Sequence, residues 1–286
     1  MAAAIGVSSC AASGATQPAT QRDRAEGLPI GNIVDTASAD LDVLADAENL
    51  ILADCMGERG FSSIESPVKY DSTGTFDFER RYYVRTPEQA ETIGYRPLNV
   101  DEILEAIAQG DNLVDNETPE YYEALFGDTA EVDGALAPDG TGCAAIAAIA
   151  IYGHQDRRLG FNGWATLMQM GDDSYAETIS SDAVREAEDA WSVCMADSGY
   201  DYAKPQDAIN ELASNPDDYV SPLTDLERET AVTDVACRRS VDLDQVYFDT
   251  ESAAQLRRLE EQPELASTVS DQVEAAVEQA KEALGN

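Results

Sequence analysis

Apolar residues recur along most of this chain at spacings of three and four, the repeat that places side chains on one face of an α-helix. Between residues 38 and 56, Leu44, Ala47, Ile51 and Cys55 fall on one such face, and Gly57 and Gly60 close the run. Val184, Ala187, Trp191 and Cys194 repeat the arrangement later in the chain. Pro87 opens a short helix that stops at Gly94, and a further short helix is expected around Leu125-Phe126. An alanine-isoleucine helix begins at Cys143, and a short one covers Asp207 to Leu212. Thr224-Asp225-Leu226-Glu227 has the form of a capping box and starts the helix that carries Cys237. A last long helix breaks near Pro263, and its second half carries the stripe Val269, Val273, Val277, Ala280, which packs on its own domain or on a partner. Phe76 to Tyr83 is aromatic and reads as a strand or an extended arm. The fold predicted is mainly α: two related helical units, each stapled by one disulfide, with a short extended aromatic arm and a long C-terminal helix. The divisions are 1–37, a disordered tether; 38–180, a first unit with long loops; and 181–286, a second unit with the C-terminal helix. The two units pack separately or as one domain.

The relation between the units rests on a repeated motif. Cys55-Met56-Gly57-Glu58-Arg59-Gly60-Phe61 and Cys194-Met195-Ala196-Asp197-Ser198-Gly199-Tyr200 both read Cys-Met-x-x-x-Gly-aromatic, and Pro67 and Pro205 follow them. Four cysteines allow three pairings. The repeat favours Cys194–Cys237 within the second unit, leaving Cys55–Cys143 in the first. Zinc is disfavoured, because no Cys-x-x-Cys clip is present. Two disulfides point to a compartment outside the reducing cytosol.

The fifth cysteine has a different context. Val7-Ser8-Ser9-Cys10 has the form of a bacterial lipobox, in which the cysteine is diacylated, and a small, polar, flexible stretch follows it. No Lys or Arg precedes Cys10 and the apolar run is short, so a frayed tail with a chance cysteine stays open beside the anchor. No stretch has the ~20 apolar residues of a membrane-spanning helix, so membrane contact is expected through the lipid anchor alone.

Charge narrows the partners. The 56 acidic residues against 18 basic ones give −38 in a chain of 286 residues. Such a surface repels nucleic acid, which is excluded as a partner, and serves solubility or adaptation to salt.

Several pieces between about residues 50 and 240 resemble a family of secreted actinobacterial lipoproteins. They are Cys55-Met56 with Gly60-Phe61, Arg80-Arg81-Tyr82, Gly94-Tyr95, Gly142-Cys143, Trp191-Ser192-Val193-Cys194-Met195 with Gly199-Tyr200-Asp201-Tyr202, and Thr233-Asp234-Val235-Ala236-Cys237. The family usually has Arg-Tyr-Gly where this chain has Arg81-Tyr82-Tyr83. The resemblance implies an envelope lipoprotein with two disulfides, on the outer face of the cell membrane, and supplies no activity.

Catalytic signatures are lacking. The single histidine, His154, cannot make a triad or a zinc hydrolase site without partners, and no nucleophile elbow, Walker loop or dinucleotide fingerprint appears. No catalytic residue, metal ligand or cofactor is therefore assigned. The better hint is aromatic. Tyr82, Tyr83, Tyr95, Trp164, Tyr200 and Tyr202 lie near turns and helix ends, and either bind a sugar or cationic group or fill the space around the disulfides. Two functions follow. One is a binding or scaffold module for a wall polymer or an envelope protein. The other is a hydrolase or transferase on a wall glycan, which needs a cleft with two carboxylates about 5–9.5 Å apart.

Overall fold

Four helices of this protein begin where a Ser or Thr side chain receives one of the first free backbone N–H groups. The computed structural model describes residues 24, 27–37, 41–61, 76–101, 103–104, 118–127, 129–132, 135–138, 141–155, 162–213 and 221–285. The early helices are α1 (Pro29–Ala37), α2 (Leu41–Glu58), α3 (Phe78–Arg81), α4 (Pro87–Ile93) and α5 (Pro119–Phe126). An antiparallel pair follows, β1 (Thr129–Val132) and β2 (Ala135–Pro138), with Thr129 opposite Pro138. The rest is helical: α6 (Cys143–Tyr152), α7 (Asn162–Ile179), α8 (Asp182–Asp197), α9 (Pro205–Ala213), α10 (Asp225–Ser240), α11 (Leu243–Glu261) and α12 (Leu265–Ala283). Thr86, Thr118, Ser181 and Thr224 cap α4, α5, α8 and α10 through side-chain oxygens. The reciprocal capping box forms at Thr86 and Gln89. At Thr224 only half of the expected box forms, because Glu227 turns inward, where it accepts from Tyr95 N and pairs with Arg96.

The repeated motif builds the same turn twice. Phe61 N donates to Met56 O and Tyr200 N to Met195 O, each over 3.0 Å. Gly60 and Gly199 take φ of 94° and 95°, values open to glycine at little cost. Met56 and Met195 are both fully buried below these turns. The staples form as the repeat suggests: Cys55–Cys143 joins α2 to the first residue of α6, and Cys194–Cys237 joins α8 to α10, with Cα atoms 5.7 and 5.6 Å apart.

Packing interleaves the two halves of the chain. The stripe Val269, Val273, Val277, Ala280 of α12 is buried on its own chain, but in the first half's core, with Leu41, Leu44 and Ala47 of α2 and Leu167 and Met170 of α7. Conversely, Phe78 and Tyr82 of the aromatic arm, and Val84 just after it, pack with Val184, Trp191 and Met195 of α8 and Phe248 of α11. Ala90 of α4 and Tyr95 pack against α9 and α10. The boundary expected near residue 181 therefore does not divide the core.

Two further expectations change in detail. Residues 29–37, read as part of a disordered tether, form α1, because Ile30 and Val34 are buried in the α12 core. The aromatic arm contains one helical turn, α3, capped by Asp77, whose carboxylate accepts from Arg80 N. The alanine-isoleucine helix buries Ala145, Ala147, Ala148 and Ile151 while leaving Ile146 and Ile149 exposed. α7, which sequence periodicity did not mark, packs along α11 and α12.

Candidate functional site

Where the aromatic arm meets the second half, a pocket of about 140 Å³ opens. Arg81 and Tyr82 come from the end of α3, Tyr175 and Ile179 from α7, Glu188 from α8, and Lys204, Pro205, Gln206 and Ile209 from the start of α9. Arg238 of α10 and Tyr247 of α11 complete the lining. The pocket adjoins a shallower space of about 420 Å³ lined by Asp182, Arg185, Glu186, Glu188, Asp189, Ala203 and Lys204. Glu188 and Lys204 belong to both.

Three tyrosine rings give the pocket its shape. Tyr82 stacks on Tyr247 with centroids 4.4 Å apart and lies 5.5 Å from Tyr175. The Arg81 guanidinium sits over Tyr175, 4.5 Å from its centroid. Tyr82 Oη donates to Glu251 Oε2 over 2.6 Å and Tyr247 Oη to Glu188 Oε1 over 2.5 Å.

Behind this wall lie two buried ionic groups. Glu251 is fully buried and pairs with Arg81 Nε at 3.4 Å, while Gln255 donates to it over 2.9 Å. The same Gln255 accepts from Ile30 N, which ties α1 to α11. In the second group Asp234 accepts from Trp191 Nε1 and Arg238 Nε, each over 2.8 Å, and Arg238 Nη1 donates to Asp244 over 3.0 Å. Burial alone would lower the Arg238 pKa, but Asp234 and Asp244 outweigh it and hold the guanidinium charged. Burial pushes the Glu251 carboxyl up, opposed by Arg81, Tyr82 and Gln255. It also raises the Tyr82, Tyr175 and Tyr247 hydroxyls, so all three are neutral donors at physiological pH.

The aromatics singled out in the sequence divide between pocket and core. Tyr82 lines the pocket. Tyr95 is buried in the α4–α10 cluster, its hydroxyl beside Asp234 without a well-formed hydrogen bond. Tyr83, at a φ of 52°, packs on the same cluster and lies under the Arg85 guanidinium. Tyr200 and Tyr202 pack half-buried around the Cys194–Cys237 core, and Trp164 packs on the α2–α12 core. These five pack around the staples and helices. Tyr175, Glu188, Lys204, Arg238 and Tyr247 were missed. They come from five separate segments, and the one local signal was Tyr175 and Ile179 sharing a face four residues apart.

Cys10 lies outside the described residues. Among the described residues no group of three or more His, Cys, Asp or Glu side chains is placed to hold a metal ion, and no helix is long and apolar enough to cross a membrane. Glu188 is the pocket's one lining carboxylate among those residues, since Glu251 stands behind Arg81 and Tyr82. Comparison of the chain with protein-family models, curated proteins and solved structures found no match.

Proposed function

We propose that the protein is a binding module of the cell envelope, tethered by a diacylated Cys10, that engages a wall polymer through the tyrosine-lined pocket. The observation that carries this reading is the pocket itself. Its walls combine three tyrosine rings with arginine, lysine, glutamine and a single carboxylate, a set that orients a small polar group. At about 140 Å³ it is smaller than the ~300–1,000 Å³ of drug-sized sites, so it holds one unit of a larger ligand. Glycan hydrolysis needs a second carboxylate across the substrate, and Glu188 lines the pocket alone among the described residues. The two disulfides support an oxidising compartment.

The test is retention on insoluble cell-wall material from the host. The wild-type protein is expected to sediment with the wall, and Tyr175→Ala to remain in solution while still folding cooperatively, at a somewhat lower melting temperature because its ring packs on Arg81 and Tyr82. Equal sedimentation of the two proteins would remove the pocket from the function. Intact-mass analysis of the membrane fraction tests the anchor, with a diacylated Cys10 as the expected first residue.

A further inference from the structure

Two opposite charges face the same gap in this pocket without pairing. Glu188 and Lys204 both line the inner pocket and the outer space, yet no ion pair joins them. Glu188 uses Oε1 to accept from Tyr247, which leaves Oε2 open. The Lys204 ammonium forms no ion pair or hydrogen bond among the described residues, and neither does the Tyr175 hydroxyl. The other cations of the lining are already engaged. Arg81 is taken by Glu251 and Asp172, and Arg238 by Asp234 and Asp244. What the pocket offers a ligand is therefore a cation, a hydroxyl donor and a carboxylate around one gap.

Electrostatics selects among the ligands that could use these groups. A net anion must cross an outer space in which Asp182, Glu186, Glu188 and Asp189 outnumber Arg185 and Lys204, on a chain of net charge −38. A net cation passes that rim but then meets Arg81, Lys204 and Arg238 inside. A neutral sugar would cover Glu188 and Lys204 without matching their charges, which costs desolvation. A dipolar ligand meets no net repulsion and forms charge-assisted hydrogen bonds at both ends. Size agrees, because a cavity of ~150 Å³ holds a six-carbon ring, and an α-amino acid with a short side chain has about as many heavy atoms.

We infer that the pocket takes a free α-amino carboxylate group. Its carboxylate lies on Lys204 Nζ and the Tyr175 hydroxyl, its ammonium on Glu188, and its short side chain against Ile179, Pro205 and Ile209. This rests on the wall-binding reading only in using the same pocket. The group is either a free amino acid or the α-amino carboxylate that a diamino dicarboxylic acid leaves free on its side chain within a wall peptide, since an ordinary peptide end carries only one of the two charges.

The experiment is calorimetric titration of the full, disulfide-intact chain with L- and D-alanine, N-acetylalanine, alaninamide and glucose. Alanine of one hand is expected to bind, with N-acetylalanine and alaninamide each weaker by about tenfold or more, since each removes one charged contact. Lys204→Met is expected to weaken alanine binding by a similar factor. Lys204 is exposed, so this variant keeps the fold, and melting temperature checks it. Glu188→Gln is expected to abolish the discrimination against N-acetylalanine. Binding of N-acetylalanine or glucose as tightly as alanine, no binding of alanine by the folded protein, or an unaltered Lys204→Met affinity would each overturn the inference. Wall retention without alanine binding sinks this inference and leaves the wall reading standing. Alanine binding without wall retention does the reverse and identifies a free amino acid as the ligand. Release of wall-bound protein by millimolar alanine identifies the wall peptide.

Discussion

Glu251, like Asp234, is a residue whose ionisation the fold resists. It is fully buried, with Tyr82, Gln255 and Arg81 on its carboxylate, and burial still raises its pKa above the usual carboxylate value. A raised folded pKa means that the native state holds the proton more tightly than the unfolded chain does. The stability this supplies is complete below the unfolded pKa and is lost as pH rises through the folded one. Acidification from neutral pH towards the ordinary glutamate value is therefore expected to raise the melting temperature. Glu177 works in the opposite direction, since Arg258 and then Arg257 lower its pKa, but it is exposed and solvent screens it. Glu251→Gln keeps an acceptor for Tyr82 and removes the titration, so its melting temperature should change less over the same pH range. A variant slope equal to that of the wild type would assign the effect to other groups.

Between elements, the junction of α5 and α6 is held by close backbone approach. A Cβ on Gly142 would stand 2.3 Å from the carbonyl carbon of Phe126 and 2.4 Å from Gly127 N. These are backbone atoms at the end of α5, so they cannot rotate away. Gly142 has φ of −69°, and its requirement for glycine is therefore steric rather than conformational. Gly142→Ala is expected to cost about 1–3 kcal/mol in denaturant unfolding. Gly57, inside α2 with nothing within 4 Å of a Cβ, provides the contrast: Gly57→Ala is expected to stabilise by about 0.5–1 kcal/mol. Equal effects of the two substitutions would mean that α5 yields at Gly142. The sequence reveals such local structure unevenly. The Cys-Met-x-x-x-Gly-aromatic motif was legible because its information is local: helix face, C-cap glycine and capping aromatic stand within seven residues. The pairing of cysteines followed from it. The destination of α12 was not legible, because the stripe Val269, Val273, Val277 records that a face is buried and not which helix buries it. The pocket was least legible of all, since Arg81 and Tyr247 meet only after α3, α7 and α11 have packed.

For the molecule as a whole, the interleaved packing joins the apolar clusters through shared helices, while the surface works against that compactness. Acidic residues exceed basic ones by 38, so most carboxylates have no cation to face. Like charges at this density repel one another in the folded state more than in the expanded chain. Added salt screens this over a Debye length of about 10 Å at 0.1 M. It also weakens attractive pairs, and the sign of the net effect depends on which are exposed. The pairs of Arg257 and Arg258 with Glu177 are partly exposed and contribute about 0–1 kcal/mol each. Arg238 with Asp234 is buried, where salt reaches little. The repulsion is spread over the whole surface, so its screening outweighs the loss of a few exposed pairs. The melting temperature is therefore expected to rise when sodium chloride is added to a low-salt buffer. Calcium at matched ionic strength should do no more, because the described residues gather no group of carboxylates placed to hold a metal ion. Stabilisation by micromolar calcium would instead require a specific oxygen-rich site. A melting temperature that stays flat or falls from low to moderate salt would mean that the charges are balanced locally and that the acidic surface imposes no repulsive load on the fold.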